Sequence, residues 1–326
     1  MKDVIELDSI ILSAHDKLDL SIYYFYLWKH KNSIEFLNLA HSYFNEFVQS
    51  VKPVKNKDLA ISGVKIIYML RENLIEGDAC EVLSDFDDIL YKYSMESELN
   101  ECVLQFYLWC LLYFTERLES QTLKRDDNFV FQNLCMRLIE FCYTELQKSI
   151  YKEHIIFNLE NEVPFFLFII SKILRLGFYN IRIVKILSEF SNSLLSYIPT
   201  LNSNKLHLLW AIATINKVVI IKGWENHISL LKSTIDFNEI CKRELKDRNI
   251  FLQKGALGIY WLSQNISNIL NIFDDKEFEN FQNALLCKIG NSEVWSLIEK
   301  NTAYKSNHIG LFNGIVGVRI LLNDLL

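Results

Sequence analysis

The side chains best suited to chemistry fall in three short stretches. Glu160 and Glu162 flank Asn161 just before an apolar segment, and two carboxylates so placed could divide acid and base roles. A plainer role for carboxylates there is to favour the positive end of a helix. His207 stands in the apolar run LHLLWAI, where an imidazole could take a metal or move a proton, although a hydrogen-bonded core histidine accounts for the same pattern. Lys254 precedes a helix start in the turn QKGALG, where its ammonium could activate a thiol, hold a carboxylate or simply be solvated.

The rest of the chain must position these groups, and its composition says how. Of 326 residues, 50% are apolar and 23% charged, enough for a sizeable core. Only 10 glycines and 3 prolines occur, against roughly 23 and 16 at average usage. Scarce breakers argue against a β-sandwich, a β-barrel or a doubly wound sheet and for an almost wholly helical chain. Net charge is -6, from 34 basic and 40 acidic residues, which excludes a protein devoted to coating nucleic acid.

Seven cysteines, odd in number and without a C-x-x-C, point to free and mostly buried thiols in a reducing compartment. The start MKDVIELDSI lacks a basic region followed by an apolar stretch, so no export signal is expected. The most apolar stretch, 163–170, is far shorter than the ~20 residues that span a bilayer. These features together predict a soluble, cytoplasmic protein without a transmembrane segment.

Two kinds of helix alternate. Residues 34–51 place Phe36, Leu37, Ala40, Tyr43, Phe44, Phe47 and Val48 on one stripe, and 131–142 repeat this with Phe131, Leu134, Cys135, Leu138 and Cys142. Segments 163–176 and 206–221 are instead apolar nearly all round, as buried helices are. The less polar segments centre near Leu20, Gly63, Tyr107, Asn161, His207, Lys254 and Asn313, a recurrence of roughly 50 residues that suits one helical hairpin per repeat. More polar segments fall near 3–14, 34–51, 79–93, 128–148, 181–197, 226–245 and 276–288. The expectation is a single all-α domain over 1–326, an α/α toroid of seven inner and seven outer helices. Its apolar last segment, 310–326, would pack on the first hairpin and close the ring. Trp210, Tyr260 and Trp261 on inner helices are core candidates that could also line a cavity.

Glycine placement sharpens this reading. GALGI at 255–259 and GIVGV at 314–318 are matching G-x-x-G motifs at helix starts, expected to let backbones approach closely and to leave peptide N–H groups open to a central cavity. With the inferred ring, IGLFNGIVGVRILLNDLL at 309–326 resembles the closing repeat of the LanC-like proteins, the lanthipeptide cyclases, and LQKGALGIYWL at 252–262 resembles the repeat before it.

The resemblance implies an α/α toroid with zinc at its mouth, held by a Cys in a Trp-Cys motif and by a Cys-His pair before a Gly. A His from a His-Gly motif assists proton transfer, and a zinc-activated thiolate adds to a dehydroamino acid to form a thioether. On this chain the Cys-His-Gly motif falls on Gln253-Lys254-Gly255, the Trp-Cys position falls near His207 after Leu206, and the His-Gly motif falls on Asn161-Glu162. No Cys or His lies between Cys241 and Cys287, and the other register, Phe312-Asn313-Gly314, lacks both ligands as well. Under the resemblance the zinc site is therefore lost and no cofactor is expected.

Asn161, His207, Gln253 and Lys254 are the positions matching the family's catalytic site, with Glu160 and Glu162 as substrate-binding candidates. The expected role is in lanthipeptide-type peptide modification, derived from a thioether-forming cyclase. The alternative is a non-catalytic scaffold that binds a precursor peptide or a modifying enzyme such as a dehydratase. A more distant alternative is an (α/α) toroid hydrolase or lyase acting on sugars through Glu160 or Glu162.

Overall fold

The alternation of segment types becomes an alternation of helices. In the computed structural model the chain is all-helical, and no strand occurs among the described residues, which are 5, 10–52, 56–75, 78–95, 104–120, 125–152, 154–269 and 275–323. The first helix, α1 (Ala14–Lys31), starts at a capping box in which the Ser13 hydroxyl accepts from the Asp16 N–H and the Asp16 carboxylate accepts from the Ser13 N–H. It ends where Asn32 turns left-handed at φ 50° and donates its N–H to Trp28. Residues 18–25 of α1 are all buried. In α2 (Ile34–Ser50), Ala40, Phe44 and Phe47 are buried while Ile34 and Val48 remain exposed, so its stripe is narrower than expected.

The same contrast repeats along the chain. Helices α3 (Lys57–Arg71), α5 (Leu104–Glu119), α7 (Glu162–Leu176), α9 (Asn202–Asn216), α12 (Ala256–Ile269) and α16 (Ile315–Asn323) are the buried kind. In α5 and α9 the stretches 106–115 and 206–215 have no exposed or half-buried position. Pro164 is tolerated in α7 because it sits in the first turn, where its missing N–H would lack an intrahelical acceptor. The more polar kind comprises α4 (Asp78–Met95), α6 (Arg125–Ser149), α8 (Asn180–Leu194), α10 (Trp224–Thr234), α11 (Phe237–Glu239, continued by a π-turn at Ile240–Glu244) and α13 (Asp275–Gly290). Two short helices, α14 (Val294–Lys300) and α15 (Thr302–Asn307), complete the set.

The buried helices pack in succession from α1 to α12, α1 on α3, α3 on α5, α5 on α7, α7 on α9 and α9 on α12, and α16 packs on α1. Each of α1, α3, α5, α7, α9 and α12 also packs on the polar helix that follows it. Three expectations need correction. Residues 10–13 of the segment 3–14 are not helical, and 3, 4 and 6–9 lie outside the described residues. Segment 226–245 is broken, because Ile235 is extended and the Asp236 carboxylate caps a new turn at Asn238 and Glu239. Helices α14 and α15 were not expected, being too short for a recognisable period.

The glycine motifs do allow close approach, but their N–H groups are not left open. Ala256 and Leu257 donate to Asn249 (2.8 Å) and Ile250 (3.2 Å), and Ile315 and Val316 donate to His308 (2.9 Å) and Ile309 (3.1 Å). In both repeats the preceding loop folds back over the helix start and caps it with the same seven-residue offset. A Cβ on Gly317 would collide with the Leu311 carbonyl. Gly317→Ala is expected to cost about 2–3 kcal/mol, as overpacking against backbone does, read as a lowered urea midpoint.

The cysteines are in part as expected. Cys110, Cys135 and Cys142 are buried free thiols, whereas Cys241 is half-buried and Cys287 exposed; the side chains of Cys80 and Cys102 lie outside the described residues. Burial pushes the Cys135 thiol up to about 12 and raises Cys142 as well, which suits inert core residues rather than nucleophiles. No helix among the described residues is long and apolar enough to cross a membrane.

Candidate functional site

The starts of the buried helices converge on one polar cavity of about 220 Å³. Helix α1 contributes His15, Asp16 and Asp19, and α3 contributes Lys57, Asp58, Ile61 and Lys65. The loops before α7, α12 and α16 supply Glu160, Gln253, Gly310, Phe312 and Asn313, and the end of α15 supplies Asn307.

Glu160, 7% exposed, is the hub. Its Oε2 accepts from Lys57 Nζ (2.6 Å) and Gln253 Nε2 (2.5 Å), and its Oε1 accepts from Trp109 Nε1 (3.0 Å). Its backbone is held too, its carbonyl accepting from Gln105 Nε2 at 2.6 Å and its N–H donating to Asn158 Oδ1 at 3.0 Å. Gln253 is used at every polar atom: its side-chain carbonyl accepts from Asn313 Nδ2, its N–H donates to Phe312 and its carbonyl accepts from the Leu159 N–H. The buried amide thus ties the loops before α7, α12 and α16 together.

A second anchor lies across the cavity. Asp19 Oδ1 accepts from Lys65 Nζ (2.5 Å) and Asp19 Oδ2 accepts from the Leu311 N–H (2.7 Å), both charged side chains being buried. On the same wall His15 Nδ1 lies 2.9 Å from Ser62 Oγ.

The expected site residues do not all meet here. Glu160 and Gln253 line the cavity, but Asn161 and Glu162 line a separate crevice of about 20 Å³. There Asn161 Nδ2 donates to Asn204 Oδ1 at 2.9 Å, and Glu162 pairs with His154 Nε2 at 3.1 Å. Burial is the largest single influence and would raise the Glu162 carboxyl, but hydrogen bonds from His154, its own backbone and Gln105 together with the His154 charge hold the group below its ordinary value. The two glutamates therefore share no cleft in which to divide acid and base work, and Glu160 is already engaged by three donors.

Lys254 is exposed and is not part of the cavity wall. His207 is 1% exposed, packed by Phe157 and Trp210, and likewise absent from that wall. Burial pushes its imidazole down to about 3, only partly opposed by a hydrogen bond with the Asn158 backbone, and its Nδ1 has no hydrogen-bond partner among the described residues. The expected aromatics are core elements: Trp210 stacks on Phe168 and meets Trp261 edge-on.

Zinc does not fit these residues. Gln253 offers an amide spent at both ends, Lys254 an exposed ammonium, and His207 a ring buried away from both. Among the described residues no three His, Cys, Asp or Glu side chains group so as to hold a metal ion.

The sequence did not single out Asp19, Lys57, Lys65 or Trp109. A signal existed for two of them: Asp19 and Lys65 are lone charges inside apolar helical runs, LDLSIYYF and ISGVKIIYML. No protein-family model matches the chain, and no curated protein matches it in sequence.

Glu160→Gln keeps the shape but places an amide where three donors converge. It is expected to cost about 2 kcal/mol, the price of a buried unmatched donor, seen as a lowered melting temperature that Glu160→Asp only partly restores.

Proposed function

We propose that the chain is a LanC-like α/α toroid that serves peptide modification by binding a precursor peptide at its polar mouth, without forming the thioether itself. Support for the toroid comes from the succession of buried helices packed one on the next from α1 to α12, with α16 returning to α1. Support for binding without catalysis comes from one observation above all. At the position where the resemblance calls for ligand donors, Gln253 is a buried strut between Glu160 and Asn313. A strut of this kind shapes a recess, and with its amide engaged at both ends Gln253 can neither hold a metal nor activate a thiol. A modifying enzyme such as a dehydratase would be the partner that performs the chemistry.

The test uses a synthetic peptide carrying one cysteine and one dehydroalanine, incubated with the purified chain. Saturable binding with an unchanged free-thiol count is expected. Loss of thiol would make the chain a cyclase, and absence of binding would remove the peptide reading. Stoichiometric zinc in the purified protein, lost on His207→Ala, would overturn the account of a dismantled metal site.

A further inference from the structure

A second, apolar cavity of about 330 Å³ lies among α1, α3, α5 and α16. Its wall runs Ile22, Tyr26, Lys29 along α1 and Val64, Tyr68, Arg71 along α3, so both helices pass from apolar residues in mid-helix to a cation in the last turn. Ile320 adds to the apolar wall from α16. Phe312 and Lys65, the latter paired with Asp19, line this space and the polar cavity alike. At the outer end Tyr68 is 43% exposed, and the Lys29 and Arg71 side chains are 43% and 49% exposed, so the cavity opens to solvent there.

The volume is that of a small-molecule site, and its plan, mainly apolar walls with a few polar groups, is the usual one. Among the described residues Lys29 pairs with the exposed Glu72 at 3.1 Å, and Arg71 pairs with Glu116, whose side chain is 12% exposed, at 3.4 Å and lies 5.8 Å over the Tyr68 ring. Glu116 is shared with Lys172 at 3.0 Å, so Arg71 has the weaker claim on it. An exposed pair such as Lys29–Glu72 contributes little and exchanges readily for another carboxylate. Of the residues lining the exit, two are cations and one is a carboxylate.

We propose that this cavity binds a single-chain anionic amphiphile of the fatty-carboxylate class. Its alkyl chain lies against Ile22, Val64 and Ile320, and its head group meets Lys29 and Arg71. The site is independent of the peptide reading, because it opens at the opposite end of α1 and α3.

The experiment is calorimetric titration of the full chain with dodecanoate, dodecanol and dodecyltrimethylammonium, each below its micelle-forming concentration. One-to-one binding of dodecanoate is expected, at least about tenfold tighter than the other two, as a charge-assisted contact allows. Val64→Phe should abolish it while circular dichroism and peptide binding stay unchanged; Ile320→Phe supplies the same block if the first variant does not fold. Arg71→Gln should bring dodecanoate down to the level of dodecanol. No saturable dodecanoate binding, equal binding of the cationic chain, or unchanged binding in both folded cavity-filling variants would overturn the proposal. Flotation with phosphatidylglycerol vesicles in the absence of dodecanoate binding would also overturn it, assigning the cations to a membrane surface.

Discussion

Asp19→Ala is expected to destabilise the protein by about 3–5 kcal/mol, the usual cost of removing one partner from a buried ion pair. The carboxylate is 4% exposed and Lys65 is 8% exposed, so the variant leaves an ammonium in the interior without a counter-charge. It also strips the acceptor from the Leu311 N–H, in the loop that carries the start of α16 over α1. The nearest compensation is the Phe312 ring, 5.3 Å from Lys65 Nζ, and a cation–π contact recovers only about 1–2 kcal/mol even when desolvated. A second substitution should separate charge from packing. Asp19→Ala combined with Lys65→Met is expected to regain most of the loss, because the apolar pair no longer buries a charge. Thermal and urea unfolding of the four proteins in the cycle measure this, and a single variant within 1 kcal/mol of the parent would mean that the pair contributes no more than a surface ion pair.

Acid should weaken the fold through His207 well before the carboxylates are protonated. The folded ring stays neutral down to about 3, whereas its ordinary value is 6.5. A depressed histidine means that the unfolded chain binds the proton first. Its contribution is complete above about pH 6.5 and is lost progressively as the pH falls toward 3, amounting to about 2 kcal/mol by pH 5 and about 4 kcal/mol at the lower limit. His227, 3% exposed and also lowered by burial against an opposing backbone hydrogen bond with Tyr197, works in the same direction. The measurement compares urea midpoints of the parent and His207→Phe between pH 8 and pH 5. The parent should lose ground to the variant as acid is added, and parallel curves would show that His207 takes up its proton within the folded state.

Much of the helical plan was legible because periodicity reports burial directly. The run at 206–221, apolar nearly all round, predicted a helix buried on most sides, and α9 is one, although it ends at Asn216 and 217–221 are not helical. The stripe at 34–51 predicted a helix with one wet face, and α2 is one, although Val48 at its margin stays exposed. The errors fall where periodicity is short. A single capping carboxylate at Asp236 splits what reads as one segment, and α14 and α15 are too brief to carry a pattern.

At the site, residues beside helix starts were found and residues facing them were not. Glu160 and Gln253 are conspicuous because they precede apolar helices, yet nothing in their spacing reveals that the two are bonded across 93 positions. Asn161 and Glu162 adjoin Glu160 in the chain but turn into another crevice, since consecutive residues at a helix start point in different directions.

Composition and apolar period were enough to establish a helical chain of alternating buried and half-wetted helices, because each residue's hydropathy is local information about its exposure. Which charges are paired, which histidine is dry and which cavities remain depend on contacts between residues as far apart as Asp19 and Leu311. Those contacts follow from how the helices are assembled, and the spacing of residues along the chain carries no record of them.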